Sequence, residues 1–381
     1  MVFANLNLTK HNLLIDTSQS VPTTAINDSY QRQPITITQQ KQGWNFLQPI
    51  ENQNIAIIGA GISGLRCASR LLECGFICTI FDKSRGFGGR TSTRRKDNWH
   101  FDHGTSYFSG TDPDFLSHLQ TLQSWQPRGT ETNEQLYVGA SGNNELAKNI
   151  AAQIAQHSPI HLHTHLDTTI TKVRPASPTG WLLTTDKGES FGPFDIVVST
   201  APPPQAINIL ADIQSSVTQR LATLETYCTW ALMLVTNKPL TIPDLVHAPN
   251  ADISRIIAEH SKPHRQLAQT ESGLASGKLG QGQYVIHASN AFSQAHVEAT
   301  PEAVMQSLVG QLEALYGPLP QIAHSQAHRW LHAGIRSPLG EAYLLDRAQG
   351  IAAAGDWCTG NSAEDAFISG ANLAQALITG V

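Results

Sequence analysis

The chain has 381 residues, enough to bury a large core and to form two interleaved domains. Charged residues make up only 14% of it and the net charge is −5, too mild and of the wrong sign for a phosphate-backbone binder, so no nucleic-acid role is indicated. No apolar run is long enough to span a bilayer, and the start lacks a basic region followed by an apolar core, so neither a membrane span nor secretion is indicated. The five cysteines, Cys67, Cys74, Cys78, Cys228 and Cys358, form no C-x-x-C pair and no zinc spacing, which makes a reducing cytoplasm the simplest location. Cys67 and Cys74, seven apart on one predicted helix, read as core packing rather than redox chemistry.

Residues 1–50 are rich in Gln, Asn, Thr and Ser, with one modest apolar patch at Leu13–Ile15. Such a segment buries too little apolar surface to offset its ordering and reads as a flexible or loosely docked extension, with Trp44, Phe46 and Ile50 available to anchor its end. A targeting peptide is the weaker reading, because the segment is neither arginine-rich nor free of acids.

From Asn54 the pattern changes. Ile55–Ile58 predicts a buried parallel strand, and Gly59, Gly61 and Gly64 follow with G-x-G-x-x-G spacing. The first glycine permits the turn, the second lets backbone approach a pyrophosphate, and the third lets the next helix pack closely. That helix is predicted from Ile62 to about Cys74, with Leu65, Ala68, Leu71 and Leu72 on one face. Gly75 ends it, and a second strand, Phe76–Phe81, leads to Asp82, placed to accept hydrogen bonds from a ribose. This fingerprint does not distinguish NAD from FAD. The next segment, Arg85-Gly86-Phe87-Gly88-Gly89-Arg90, sets two arginines around a glycine-rich turn, well placed to meet a phosphate.

That segment resembles the GG doublet of the FAD-dependent amine oxidase superfamily, which includes renalase-like proteins, polyamine oxidases and phytoene desaturases. The resemblance implies FAD as cofactor, with contacts from Gly59, Gly61, Ile62, Ser63, Gly64, Asp82, Lys83, Arg85, Gly89 and Arg90. Thr91 to Arg95 adds basic character. Phe101-Asp102-His103-Gly104-Thr105-Ser106-Tyr107-Phe108 then resembles the D-H-G-x-x-Y-F motif of renalase-like proteins, a loop that in the family lies near the flavin. His103 and Tyr107 are therefore candidates for the catalytic region. A structural, hydrogen-bonded His103 is favoured over direct proton transfer, since general bases are a minority of buried histidines.

Pro113–Trp125 reads as one amphipathic helix carrying Phe115, Leu116, Leu119 and Leu122, and Gly142–Gln156 as another carrying Leu146, Ile150 and Ile154. Ile160–Leu166 alternates strictly, with Ile160, Leu162 and Leu166 on one strand face and His161, His163 and His165 on the other. Those histidines stand about 6 to 7 Å apart, too far to share one metal comfortably, so a solvated face is expected. The strand Thr168–Val173 resembles the one that holds the adenine in the family, which puts Ile170 at the matching position. Trp181–Thr185 and Phe194–Thr200 continue the sheet pattern. Asp195 to Pro204 resembles the D-x-V-V-x-x-x-P turn of the superfamily, and Pro202, Pro203 and Pro204 predict an extended exit.

Residues 205–325 have the mixed pattern of a second domain. It includes apolar runs at Thr229–Val235 and Tyr284–Ala288, a polar connection from Gln266 to Gly282, and a helix Pro301–Tyr316 with Thr300 as N-cap. His328-Arg329-Trp330-Leu331-His332-Ala333 resembles the family's H-R-W-x-Y-A strand, with His332 where tyrosine is common. Arg329 and Trp330 are candidates to line the flavin site, against a core tryptophan and a surface arginine. Gly355 and Asp356, followed by a helix from about Glu364, resemble the second FAD motif, in which the aspartate meets the ribityl chain or phosphates. A helix N-terminus there favours negative charge on the flavin. The motif implies contacts from Gly355, Asp356, Asp365 and Ala366. Asp365 replaces a glycine, and Asn361-Ser362-Ala363 departs from the usual basic-hydrophobic pair.

The fold expected is α/β, a Rossmann-like FAD-binding domain of the p-hydroxybenzoate hydroxylase type with an interleaved α+β substrate domain. The cofactor parts fall at 51–112, 141–204 and 326–381, and the substrate parts at 113–140 and 205–325. The resemblance implies a renalase-like oxidase that takes hydride from an isomeric dihydronicotinamide dinucleotide and gives the electrons to O2. FAD is expected to be noncovalent, since no cysteine lies between Cys228 and Cys358, and no metal is expected. Amine oxidation is the alternative within enzymes, and a non-catalytic FAD-bound scaffold is the alternative outside them.

Overall fold

The computed structural model describes residues 53–158, 160–265 and 280–380. The predicted extension and its anchors, Trp44, Phe46 and Ile50, lie outside the described residues, as does the polar connection over 266–279.

Short β-branched runs become the inner strands of a six-stranded sheet. Its order is Leu344–Asp346, Ile351–Ala353, Ile196–Ser199, Asn54–Ile58, Ile77–Phe81 and Leu162–His165, and only the Leu344–Asp346 edge is antiparallel. Strands buried on both faces need cover on both. Alternation along the first strand assigns it: Ile55 and Ile57 face the helices Ile62–Glu73, Glu145–His157 and Ala363–Thr379. Ala56 and Ile58 face a three-stranded antiparallel sheet, Ile170–Pro175, Trp181–Thr185 and Ser190–Phe194, and two short helices, Pro203–Ile209 and Ser216–Leu221.

A second, antiparallel sheet runs in the order Leu245–His247, Ile253–Ala258, Gly282–Ala288, Thr226–Thr236 and Ile322–Ile335. Trp230, Leu232 and Leu234 pack on the helix Pro301–Tyr316, whose start is capped by the Thr300 hydroxyl as expected. Met233 and Val235, on the other face, pack on Trp99, Phe101, Trp125, Leu136 and Val138.

Several expectations change. The helix from Pro113 stops at Leu119, where the Thr121 hydroxyl binds the His118 carbonyl, and Gln123–Trp125 instead pairs with Leu136–Val138. Phe115 and Leu119 belong to the helix-side core while Trp125 belongs to the antiparallel sheet's core, and one straight helix cannot serve both. Pro203 and Pro204 do not extend the chain; they open a helix, where missing N–H groups cost nothing. Ile160 is 81% exposed, outside the strand, which begins at Leu162. His165 is not simply solvated but stacks on Phe81 at 5.0 Å, and no His/Cys/Asp/Glu cluster among the described residues is arranged to hold a metal. Cys67 is buried but Cys74, at the helix end, is exposed. The boundary placed at 325/326 falls inside the strand Ile322–Ile335, and Ala206, Leu210, Val217 and Leu221 pack beneath the parallel sheet rather than in the second one.

The helices Ile62–Glu73 and Ala363–Thr379 cross closely because Gly370 has no side chain: a Cβ there would lie 2.2 Å from the Ser63 carbonyl oxygen. Alanine gains about 1 kcal/mol of helix propensity over glycine, but overpacking against backbone costs about 1–3 kcal/mol. Gly370→Ala is therefore expected to lower the urea midpoint, the reverse of its effect in an exposed helix.

Candidate functional site

The three glycines after the first strand do different work. Gly59 has φ +119°, and its N–H donates to the Phe81 carbonyl at 2.8 Å. A Cβ on Gly64 would sit 2.1 Å from the Gly59 carbonyl oxygen, whereas one on Gly61 meets nothing within 4 Å. The second glycine thus opens outward, on the side where a phosphate has to approach. The GG turn lies against this loop: Gly88 N–H donates to the Ala60 carbonyl at 3.0 Å, and a Cβ on Gly89 would be 3.7 Å from Gly61 Cα. Asp82 accepts from the N–H groups of Ala60 and Ser84, each at 2.7 Å. Ile62 and Ser63 are buried at the helix start, the Ser63 hydroxyl without a partner. Lys83 donates to Gln205 at 3.3 Å, and Arg85 is exposed.

Arg90 joins this loop to the far end of the chain. Its guanidinium donates to both oxygens of Asp356, at 2.8 and 2.5 Å, and to the Ala333 carbonyl at 3.1 Å. Burial works against the Arg90 charge, but Asp356 outweighs it and holds the guanidinium above its ordinary value. Gly355, just before, donates its N–H to the Ser369 hydroxyl at 3.0 Å. Tyr227 feels both charges; burial, then Asp356, raises its hydroxyl's pKa. Sequence reasoning missed Tyr227, because only the pairing of Tyr227 with Gly334 brings it here.

Asp365 and Ala366 lie in the first turn of the last helix. The Asp365 carboxylate accepts from Ser362 N–H, the Ser362 hydroxyl and the Thr359 hydroxyl, and its own N–H donates back to Ser362 Oγ. This is a capping box, so replacing the usual glycine with aspartate commits the side chain to closing the helix. Ala366 N–H is bound within the helix to the Ser362 carbonyl. Ile170 turns its side chain into the core beneath the parallel sheet.

The His103 loop packs on the Arg90 backbone. Thr105 N–H donates to the Arg90 carbonyl at 2.9 Å, and Gly104 leaves no room there for a Cβ. Trp330 Nε1 donates to the His103 carbonyl at 2.9 Å, with the two rings 5.0 Å apart, and His328 lies 4.8 Å from His103. His103 Nδ1 is buried without a partner. Tyr107 packs near Trp125 and beneath the Arg255 guanidinium. Arg329 is on the opposite strand face, where it donates to the Val297 carbonyl and lies 5.7 Å from the Trp230 ring, so it is not brought to the His103 cluster. His332, where tyrosine was noted as common, sits 3.2 Å from the Thr226 hydroxyl.

Beneath the loop lies a buried charge network. Asp102 Oδ2 accepts from Lys262 at 2.9 Å and Arg265 at 2.6 Å, its Oδ1 accepts from Thr93 and the Asn143 N–H, and Lys262 also donates to Glu259 at 2.6 Å. Burial opposes the Asp102 charge, but the two cations hold its pKa well below the usual carboxylate range.

Residues 57–122 match the NAD(P)-binding Rossmann-like domain, and residues 120–378 match the flavin containing amine oxidoreductase family. The chain belongs to the flavin containing amine oxidoreductases. The 4,4'-diapophytoene desaturase of Staphylococcus haemolyticus is 48% identical over 50 residues, 13% of this chain, and the chain spans only 10% of that protein's length. A protein from Exiguobacterium sp. 255-15 described as a protoporphyrinogen oxidase has the same fold, with TM-score 0.65 at 14% identity over 86% of this chain and 99% of that one. A putrescine oxidase variant gives TM-score 0.60 at 13% identity, covering 87% and 100%. As a member of this oxidoreductase family the chain uses FAD, and the open face at Gly61, the adjoining GG turn and the unpartnered Ser63 hydroxyl fit that group.

Burial holds three histidines of this flavoprotein neutral. It pushes His103 down to about 3, helped by His328 and Arg94, and His328 and His287 down to about 4. Their unfolded value is about 6.5, so below it the unfolded chain binds more protons. The stability they confer is complete above about pH 6.5 and is lost as pH falls toward their folded values, each contributing a slope of up to about 1.4 kcal/mol per pH unit. The urea midpoint is expected to drop between about pH 7 and about pH 5, and to drop less in His328→Gln.

Proposed function

We propose that this chain is a renalase-like FAD-dependent oxidase that acts on a small reduced substrate of the isomeric dihydronicotinamide dinucleotide class. Bound FAD would supply the redox chemistry, namely hydride acceptance from the substrate and reduction of O2 to hydrogen peroxide. Gly61 and Gly89 would face its pyrophosphate, Asp82 its ribose, and Arg90 with Asp356 the adjoining phosphate and ribityl region. The antiparallel sheet, with the His103 loop against it, would form the substrate side, in a cytoplasmic protein.

The observation that carries this reading is the placement of His103 beside the Arg90 turn, where its ring is almost wholly buried and its carbonyl is already taken by Trp330 and His287. A general base works best with a pKa near the operating pH, and His103, held at about 3, is far from it. A dihydronicotinamide becomes a stable aromatic cation on losing hydride and has no proton to surrender. An ammonium substrate must first lose one. His103 accordingly orients its neighbours through its carbonyl, which accepts from Trp330 and from His287. Noncovalent binding is supported by Cys358, whose buried thiol is pushed up to about 11 and is a poor nucleophile. Amine oxidation is the second reading, favoured by the family description and by the putrescine oxidase likeness.

Anaerobic mixing of the yellow protein with isomeric dihydronicotinamides, NADH, NADPH and a panel of amines is the test. Bleaching by an isomeric dihydronicotinamide is expected. Bleaching by an amine alone moves the assignment to the second reading, and flavin that no reductant bleaches points to a non-catalytic FAD-bound scaffold. Gly61→Val is expected to melt like the parent stripped of flavin but to bind FAD at least about tenfold more weakly, about 1.4 kcal/mol, by fluorescence titration.

A further inference from the structure

The strand that carries Trp330 loses its regular pairing just where it reaches the cofactor side. Tyr227 pairs with Gly334 and Thr229 with Trp330, so Cys228 alone stands opposite Leu331, His332 and Ala333. A bulge of this kind re-aims side chains, and bulges gather beside functional sites. Here the Ala333 carbonyl turns to the Arg90 guanidinium at 3.1 Å, and Leu331 is left 49% exposed. His332, between them, is half-buried, so one side of its ring stays open. Its Nδ1 lies 3.2 Å from the Thr226 hydroxyl, and its Nε2 has no hydrogen-bond partner among the described residues. Burial, then Lys83, then Arg90 push its pKa down, and no carboxylate counters them.

The charges flanking the glycine loop balance one another. Lys83 and Arg90 are positive, and Asp82 and Asp356 are negative. Arg90 is spent on Asp356, Lys83 donates to Gln205 at 3.3 Å, and Asp82 accepts from the Ala60 and Ser84 N–H groups. Glu225, beside Thr226, lies 3.8 Å from Arg336, and Arg85 is exposed at the rim. Tyr227 stays a neutral phenol, its pKa raised by burial and then by Asp356. A cofactor diphosphate would bring two negative charges to the open side of Gly61. Backbone N–H groups at the helix start favour it but supply no full charge. His332 is the side chain here that can gain one near neutral pH.

We propose that His332 is a proton-dependent ligand of the cofactor's diphosphate, donating from Nε2 to a phosphate oxygen while Nδ1 keeps the Thr226 hydroxyl, so that FAD is captured together with a proton. The role goes beyond the substrate reading and does not depend on it, because the diphosphate is the same whatever is oxidised. In the flavin-free protein, burial, Lys83 and Arg90 favour the neutral ring. A bound dianion favours the charged one. A group that holds its proton more tightly in the complex takes one up on binding, so affinity for FAD rises as pH falls and weakens as pH rises. His103, held at about 3, and His287 and His328, held at about 4, stay neutral across the same range and add nothing to the slope.

The test titrates the flavin-free protein with FAD, and with ADP-ribose, which carries the same diphosphate without the flavin ring. Affinity is read by fluorescence and calorimetry between about pH 6 and about pH 8, and proton uptake by calorimetry in buffers of different ionisation enthalpy. Affinity for both ligands is expected to fall at least about fivefold across that range, with net proton uptake. His332→Gln, melting like the parent, is expected to match the parent near pH 8 within about twofold, to lose the slope and to take up no proton. His332→Lys, with its charge fixed, is expected to bind tightly at every pH, and it decides the matter if the glutamine variant does not fold. The proposal is overturned if the parent's affinity for FAD does not change with pH, if the glutamine variant keeps the slope, or if that variant weakens binding equally at every pH, as a packing role would. A slope with FAD but none with bound ADP-ribose also overturns it, and the FAD titrations decide alone if ADP-ribose does not bind. Failure to bind FAD at any pH would overturn the cofactor itself, an outcome distinct from binding that ignores pH.

Discussion

Two parallel hydrogen bonds between Arg90 and Asp356 hold the cofactor side of this fold in register. The partners are 266 positions apart in sequence, and the same guanidinium takes the Ala333 carbonyl, so the GG turn, the long strand of the second sheet and the C-terminal segment meet on one side chain. The planar fork matters, since a lysine would supply a point charge without fixing two oxygens and a carbonyl together. The Asp356 side chain is almost wholly buried, and removing its partner would leave that carboxylate stranded, a loss of about 3–5 kcal/mol in comparable buried pairs. Geometry at the glycine loop depends on this clamp, because the GG turn it fixes is what packs on Gly61 and Ala60.

A second lock sits on the other side of the His103 loop. Asp102, Glu259, Lys262 and Arg265 form a closed set of two negative and two positive charges, with Lys262 and Asp102 wholly buried. Their attraction is offset by desolvation, so the network adds little net stability over an apolar cluster of equal size. Its effect is to determine where the loop goes. With Asp102 tied to Lys262 and Arg265 below, the next residue, His103, is held between His328 and Trp330, and its ring is driven neutral by the burial that results.

The glycine loop, its helix, the GG turn and the Gly355-Asp356 pair were legible in the sequence because each is local: a glycine at a fixed offset has one backbone reason to be there. What was not legible depended on partners distant in sequence. Nothing near Pro203 announces whether three prolines will extend or begin a helix; apolar positions Ala206 and Leu210 decide it by docking under the parallel sheet. Asp365 reads as a departure from a cofactor motif until Ser362 and Thr359 are seen to bind it. Arg329 and Trp330 are neighbours in the chain, yet strand alternation sends one to the Val297 carbonyl and the other to His103. Tyr227 carried no motif, and only strand register brings it to Arg90 and Asp356.

The order of strands in the parallel sheet has a consequence for how the protein is made. The strand Asn54–Ile58, which carries the glycine loop, pairs with Ile196–Ser199, and that strand in turn pairs with Ile351–Ala353, while the helix Ala363–Thr379 covers the face on which Ile62–Glu73 lies. Contacts of such long sequence separation form slowly, and domains assembled from distant segments expose unpaired strand edges until the last one arrives. On the ribosome the nucleotide loop therefore emerges well before the strand Ile351–Ala353 and stays uncompleted until that segment has been synthesised. Capture of FAD is then a late event, and a nascent chain stalled before Asp356 would present a glycine loop whose clamp has not yet been translated.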